Sequence, residues 1–105
     1  MKRVLDTTEV LGWVETPHGN CEVCASAEAN YDESAGRLVV ELRSFFRTTN
    51  LRVKERQFSA DWAPQRETVT ESVGPNETVE VARDIFHRWV RKVRQAAPPL
   101  HGHTP

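Results

Sequence analysis

A histidine and two cysteines form the segment of this chain whose spacing is closest to that of a metal site. Cys21 and Cys24 stand three positions apart, and His18 precedes Cys21 by three. Two thiolates and an imidazole are three of the four ligands of a tetrahedral zinc site. No fourth ligand lies nearby, and the histidines that could supply it from elsewhere are His87, His101 and His103. The segment predicts a zinc site as one alternative, and two incidental reduced thiols without a cofactor as the favoured one.

A redox role for the same two cysteines is the weaker chemical alternative. Redox Cys-x-x-Cys motifs usually begin a helix, whose dipole lowers the thiol pKa. Here the residues after Cys24 alternate as a strand does.

Cations and two phenylalanines share one predicted sheet face between residues 43 and 58. Cations there could follow the backbone of a single-stranded nucleic acid while the rings stack on bases. The alternative is a solvated face whose long side chains cover the rings, which the chain's pI of about 6.4 favours. The predicted partner-binding residues are Arg43, Phe45, Arg47, Arg52, Lys54, Arg56 and Phe58.

No catalytic constellation accompanies these residues. The sequence has no Gly-rich phosphate loop, no Gly-x-Ser-x-Gly elbow and no His-Glu-x-x-His motif. An enzyme or ligand carrier would need a pocket between sheet and helix near Tyr31, Trp62 and Trp89. A protein that is not an enzyme is the favoured interpretation.

Length and composition set broad limits. The 105 residues fit one domain, 38% of them are hydrophobic and 28% charged. No apolar run approaches the roughly 20 residues that span a bilayer, and the N-terminus lacks the apolar core of a secretory signal. These features predict a soluble, cytoplasmic protein without a membrane partner.

The net charge of −1 conceals an uneven distribution. Residues 1–36 carry two cations and seven acids, residues 37–66 carry seven cations and three acids, and the rest balance. Such asymmetry can indicate an anionic partner. Neighbouring acidic and basic strands that neutralise each other are the alternative, and the favoured one.

Alternation identifies the strands that would position these residues. Residues 6–15 fit a strand or a helix, with the strand preferred because Gly12 weakens a helix. Residues 22–31 alternate strictly, and a turn at 33–36 leads into a strand over residues 37–48. Residues 51–59 and 67–73 predict two further strands, the last polar and suited to a sheet edge or a homodimer contact.

Turn lengths predict the strand registers. A four-residue turn at 33–36 pairs Ala29 with Val40 and Ala27 with Leu42, and also Glu22 with Arg47 and Glu28 with Glu41. A two-residue turn at Thr49-Asn50 sets Arg47 opposite Arg52 and Arg43 opposite Arg56. Like charges directly opposite destabilise a strand pair, so a fold that keeps them could hold them for an anion.

The C-terminal third predicts one long amphipathic helix. Asn76 is the predicted N-cap, acids lie early and cations late as the helix dipole favours, and Ala96-Ala97-Pro98-Pro99 ends the helix. Asp84 and Arg88 have the spacing of an ion pair. The predicted apolar stripe is Val79, Ala82, Ile85, Phe86, Trp89, Val90 and Val93.

These elements predict an α+β fold, an antiparallel meander of four to five strands with the C-terminal helix packed on one face. Residues 1–97 would form the single domain and 98–105 a flexible tail. The predicted function is a small non-enzymatic binding module for a protein or an anionic polymer, nucleic acid included, which binds through the basic sheet face. The alternatives are a zinc or redox protein using His18, Cys21 and Cys24, and a ligand-binding or enzyme domain with a pocket between sheet and helix.

Overall fold

The computed structural model of the chain describes residues 1–16, 19–47, 64–97 and 100–102. These form four strands and one helix, which are β1 Lys2–Thr16, β2 Gly19–Asp32, β3 Arg37–Arg47, β4 Arg66–Ser72 and α1 Thr78–Ala96. The strands form one antiparallel sheet in the order β1-β2-β3-β4, and α1 packs against β1, β2 and β3. The predicted α+β meander is therefore confirmed.

The register between β2 and β3 follows the prediction at each pair that the four-residue turn specifies. Ala29 lies opposite Val40 and Ala27 opposite Leu42, and the two outward pairs named above also form. Gly36 closes the turn with a positive φ of 62°, a conformation that glycine adopts without steric cost. The pattern of buried aliphatic residues and the turn length agree here, and together they fix the register.

The core lies between the sheet and α1. The small alanines of β2 are fully or almost fully buried, which leaves room for the larger side chains of α1 above them. We call the side of the sheet under α1 the inner face and the opposite side the outer face. The residues of the inner core include Val23, Ala25, Ala27, Ala29, Tyr31, Leu38, Val40, Leu42, Ala82, Ile85, Phe86, Trp89 and Val93.

The helix begins one residue later than the predicted cap implies. Its N-cap is Glu77, which makes no side-chain capping hydrogen bond, so the predicted Asn76 cap is wrong. Thr78 is buried and Val79 is exposed, which reverses the first position of the predicted stripe. The helix ends at Ala96 as predicted, and no helix in the described part of the chain is long and apolar enough to cross a membrane.

Strand β1 contains two irregularities that sequence alternation does not show. The pairing with β2 skips Val4 and Leu11, so each of these residues is an extra one on the β1 side. At the second, Leu11 becomes fully buried and its neighbour Val10 is left 40% exposed. The strand prediction for residues 6–15 is confirmed, and the bulges explain why its pattern was ambiguous.

Residues 100–102 lie along the edge of β1 that faces away from β2, near the C-terminal end of the strand. Trp13 and His101 exchange two backbone hydrogen bonds, of 3.0 and 2.9 Å, and their rings lie 4.8 Å apart. A Cβ on Gly12 would come within 2.9 Å of the His101 carbonyl oxygen, so glycine permits this approach. We call residues 100–102 the C-terminal strap. The other residues of the predicted tail lie outside the described residues.

Strand β4 is the neighbour of β3 on the side away from β2, over residues 37–43 of β3. The prediction had placed residues 51–59 in that position. Arg43 has Ser26 on one side and Arg66 on the other, so both of its neighbouring positions are occupied. The predicted pairing of Arg43 with Arg56 is therefore wrong. The predicted strand 51–59 itself, with Arg52 and the pairing assigned to it, lies outside the described residues.

Candidate functional site: the outer face of the sheet

Three of the predicted partner-binding residues lie together on the outer face of β3. Arg43, Phe45 and Arg47 alternate with the inward-facing Leu42 and Ser44, as a strand requires. The two arginines are exposed and the ring is half-buried. The other predicted residues, Arg52, Lys54, Arg56 and Phe58, lie outside the described residues.

A third cation, Arg66, completes this group and was not identified from the sequence. It is the first residue of β4, is exposed, and stands directly opposite Arg43 on the outer face. Residue 66 lies between the predicted strands 51–59 and 67–73, and residues 51–59 were the predicted neighbour of β3. We call Arg43, Phe45, Arg47 and Arg66 the basic corner.

The arginines of the basic corner differ in their partners. The Arg43 guanidinium lies 5.7 Å from the centroid of the Phe45 ring, within the range of a cation–π contact. Arg47 donates to the Glu22 carboxylate at 3.1 Å, and this hydrogen bond raises the pKa of Arg47. Among the described residues, neither Arg43 nor Arg66 has a carboxylate partner.

Elsewhere on the outer face, opposite charges neutralise each other as the second interpretation of the charge pattern expects. Arg3 contacts Glu28 at 2.8 Å and Asp6 at 3.4 Å. Glu41 is the acid nearest to Arg43 along β3, and it forms no ion pair with a described residue. Among the described residues of β3 and β4, three of the four outer-face arginines lie at the basic corner, and the fourth, Arg37, lies at the other end of β3.

The two cysteines lie on opposite faces of β2. Cys21 belongs to the inner core, and its thiol lies 3.7 Å from the Arg47 carbonyl oxygen, whereas Cys24 is fully buried on the outer face. Burial raises the pKa of both thiols above the ordinary value of 9.0. A raised pKa keeps a thiol protonated and unreactive at neutral pH.

This arrangement bears on the zinc alternative. Residues three apart in a regular strand point to opposite sides, so the present conformation of β2 does not bring both thiols to one ion. The described residues contain no group of three or more histidine, cysteine, aspartate or glutamate side chains placed to hold a metal. His18 and His103 lie outside the described residues, and the zinc site stays a prediction.

Comparison of the chain with protein-family models, with curated proteins and with solved structures gives no match.

A second surface feature lies between α1 and β4. A groove of about 220 Å³ runs there, between the helix and the inner face of the edge strand. Trp89 lines it, as the pocket alternative expected of this residue; Tyr31 does not line it, and Trp62 lies outside the described residues. The lining residues are Leu42, Glu67, Val69, Glu71, Ile85, Arg88, Trp89 and Lys92.

The buried groups beside the groove are held by hydrogen bonds. The Trp89 indole donates to the Arg43 carbonyl oxygen at 3.0 Å, and the Tyr31 hydroxyl donates to the Val73 carbonyl oxygen at 2.9 Å. Within the described residues, each buried side-chain polar atom has a hydrogen-bond partner. The groove therefore offers a charged rim and an apolar floor, without an unsatisfied buried group aimed into it.

Proposed function

We propose that the protein is a small binding module without catalytic activity that recognises an anionic partner through the basic corner. The supporting observation is the direct opposition of Arg43 and Arg66 on adjacent strands, neither of them in an ion pair with a described carboxylate. Like charges in that position oppose folding. An anionic group placed between the two guanidinium groups would turn the repulsion into attraction.

The neighbouring residues suit an anion that is part of a larger partner. Phe45 offers a half-exposed ring beside Arg43, able to stack on a base or to pack against an apolar side chain. Arg47 already forms an ion pair with Glu22 and would contribute less to binding of the anion. An acidic protein surface and the phosphate backbone of a nucleic acid both present the required charge, and the test below distinguishes them.

The test measures binding of two labelled anionic polymers, oligothymidylate and polyglutamate, by fluorescence anisotropy. The variant Arg43→Glu/Arg66→Glu should bind the true partner class at least about tenfold more weakly, because each lost charge-assisted hydrogen bond is worth about 1.5 kcal/mol or more. The matched control is Arg83→Glu/Arg91→Glu. Both of its arginines are exposed on α1, and it changes the net charge by the same amount.

The outcomes separate the two partner classes. If the corner variant loses oligothymidylate binding and the control variant does not, the partner is a nucleic acid. If the corner variant loses polyglutamate binding and the control variant does not, the partner is an acidic protein. Equal loss in both variants would mean that net charge, and not the basic corner, drives binding. Undiminished binding of both polymers by the corner variant would remove the proposal.

A further inference from the structure

On the side away from β3, the edge of β4 has backbone groups that pair with no described residue. The Val73 amide donates to the Gly36 carbonyl and the Ser44 amide to the Gln65 carbonyl, which places residues 65 and 73 in hydrogen-bonded pairs with β3. Such pairs alternate along an antiparallel ladder. The amide and carbonyl groups of Thr68 and Thr70 therefore point away from β3, toward the open edge.

The two edges of the sheet differ in how they are protected. Strand β1 carries two bulges and is bridged by the C-terminal strap at Trp13. Bulges of this kind interrupt the regular row of groups that another strand could pair with. Strand β4 pairs with β3 without a register shift over residues 66–72 and, among the described residues, has no strand on its other side.

The groove lies beside this edge of β4. On the inner face of β4, the half-buried Val69 is flanked by the exposed Glu67 and Glu71. The floor beneath them is apolar, formed by residues that include Leu42 and Trp89. A strand added to β4 would place alternate side chains opposite residues 67, 69 and 71, on the groove side.

Charge then selects the side chains of the added strand. Glu67 is 3.5 Å from Lys92, so it already has a cation. Glu71 has no ion pair with any described residue. An apolar side chain opposite Val69 and a basic one opposite Glu71 would complement the groove.

A second copy of the chain fits this edge less well. Antiparallel pairing of two β4 strands centred on Val69 would set Glu67 of each copy opposite Glu71 of the other. Like charges in directly opposed positions destabilise the pair. The two glutamates that β4 carries on its groove side thus favour a basic partner over self-pairing in this register.

We propose that the β4 edge accepts an extended segment of a partner protein as an additional strand, with an apolar side chain against Val69 and a lysine or arginine beside Glu71. Backbone hydrogen bonds to Thr68 and Thr70 supply affinity in this mode of recognition, and the alternate side chains in the groove supply specificity. The surface is distinct from the basic corner, and its partner has the opposite charge.

The probe is the acetylated, amidated peptide Thr-Lys-Thr-Leu-Thr-Lys-Thr, whose symmetric pattern places leucine and lysine in the groove in either strand direction. Binding is measured by anisotropy of a labelled copy and by amide chemical shifts of the protein. We expect saturable binding with the largest shifts at Thr68 and Thr70. A peptide with glutamate in place of lysine should bind at least about tenfold more weakly.

Two variants test the backbone contact. Thr70→Pro removes an amide that points to the open edge of β4 and leaves the hydrogen bonds between β3 and β4 intact. Proline is tolerated on an edge strand where its nitrogen faces solvent. Thr70→Pro should reduce peptide binding at least about tenfold, whereas the control Thr70→Val, which keeps the amide, should bind as the unmodified protein does. If Thr70→Pro does not fold, the same loss is expected when the unmodified protein meets a probe N-methylated at alternate amides.

Three results would overturn the inference. They are the absence of saturable binding, unchanged binding by Thr70→Pro or by the N-methylated probe, and a dimer in sedimentation that Thr70→Pro converts to monomer. The last would make a second copy the occupant. Because the probe is cationic, failure here leaves the basic corner untouched.

Discussion

Replacing Arg66 by glutamate should make the protein more stable while weakening its binding of an anion. Arg66 and Arg43 are directly opposed on adjacent strands, and neither has a carboxylate partner among the described residues. Cross-strand charge pairs contribute up to about 1 kcal/mol, with the sign set by the charges. Changing repulsion to attraction should therefore raise the free energy of unfolding by about 1 kcal/mol, or the Tm by about 4 °C.

A double-mutant cycle isolates this pair from the rest of the protein. Arg43→Glu and Arg66→Glu should each stabilise, but together they oppose two carboxylates and should return the stability to near its starting value. The expected coupling energy is then about 2 kcal/mol. Urea denaturation followed by tryptophan fluorescence gives the free energy of each variant.

Salt and a neutral variant supply the controls. At 1 M salt the Debye length falls to about 3 Å, so the coupling energy should shrink severalfold. Arg66→Gln removes the repulsion without adding attraction and should gain about half as much stability as Arg66→Glu. Additive effects in the cycle, or a coupling energy that salt does not change, would refute the argument.

Three further outcomes follow from the structure. Burial raises the pKa of Cys21 and Cys24, so their contribution to stability is full below the ordinary thiol pKa of 9.0 and is lost as the pH rises through the raised pKa values of the folded state. Urea denaturation above pH 9.0 should therefore show a falling free energy of unfolding, and the fall should be smaller when both cysteines are replaced by alanine. Gly12→Ala should lower the free energy of unfolding by about 1–3 kcal/mol and alter tryptophan fluorescence, because the added Cβ meets the C-terminal strap at 2.9 Å and the φ is +151°. The control Gly74→Ala, whose added Cβ has its nearest contact at 3.7 Å, should change neither the stability nor the fluorescence. Tyr31→Phe should cost about 1 kcal/mol in thermal or urea unfolding by removing a 2.9 Å hydrogen bond, and an unchanged stability would contradict the role assigned to the hydroxyl.

Local rules in the sequence were enough to predict the β2–β3 hairpin and most of the helix. At the hairpin, two independent constraints agree, since the turn of residues 33–36 and the buried aliphatic rows demand the same register. At the start of α1, helical spacing alone does not decide which residue is buried. Thr78 and Val79 both stand at helical spacing from the later stripe, and the position of the sheet beneath the helix buries the polar residue and exposes the apolar one.

Arg66, the one residue of the basic corner that was not predicted, shows what local rules cannot supply. Residues 51–59 read as the strand after β3, so the sequence offered no reason to place Arg66 beside Arg43. That contact joins residues 23 positions apart across a connection whose path no local pattern specifies. Likewise, β1 changes its alternation at Leu11 because of a bulge, and nothing in the spacing of the strap predicts its pairing with Trp13.

Strand β4 presents three different sets of groups in three directions, and this makes the two proposals independent. Its even-numbered side chains, from Arg66 onward, face outward with the basic corner, while Glu67, Val69 and Glu71 face the groove. The backbone groups of Thr68 and Thr70 point along a third direction, to the open edge. A change at the Arg66 side chain alters none of the backbone groups at that edge, and a proline at Thr70 alters no charge at the corner. Effects at separate groups that share no partner are expected to add, so a variant that lost both kinds of binding through one of these changes would show that β4 had been disturbed as a whole.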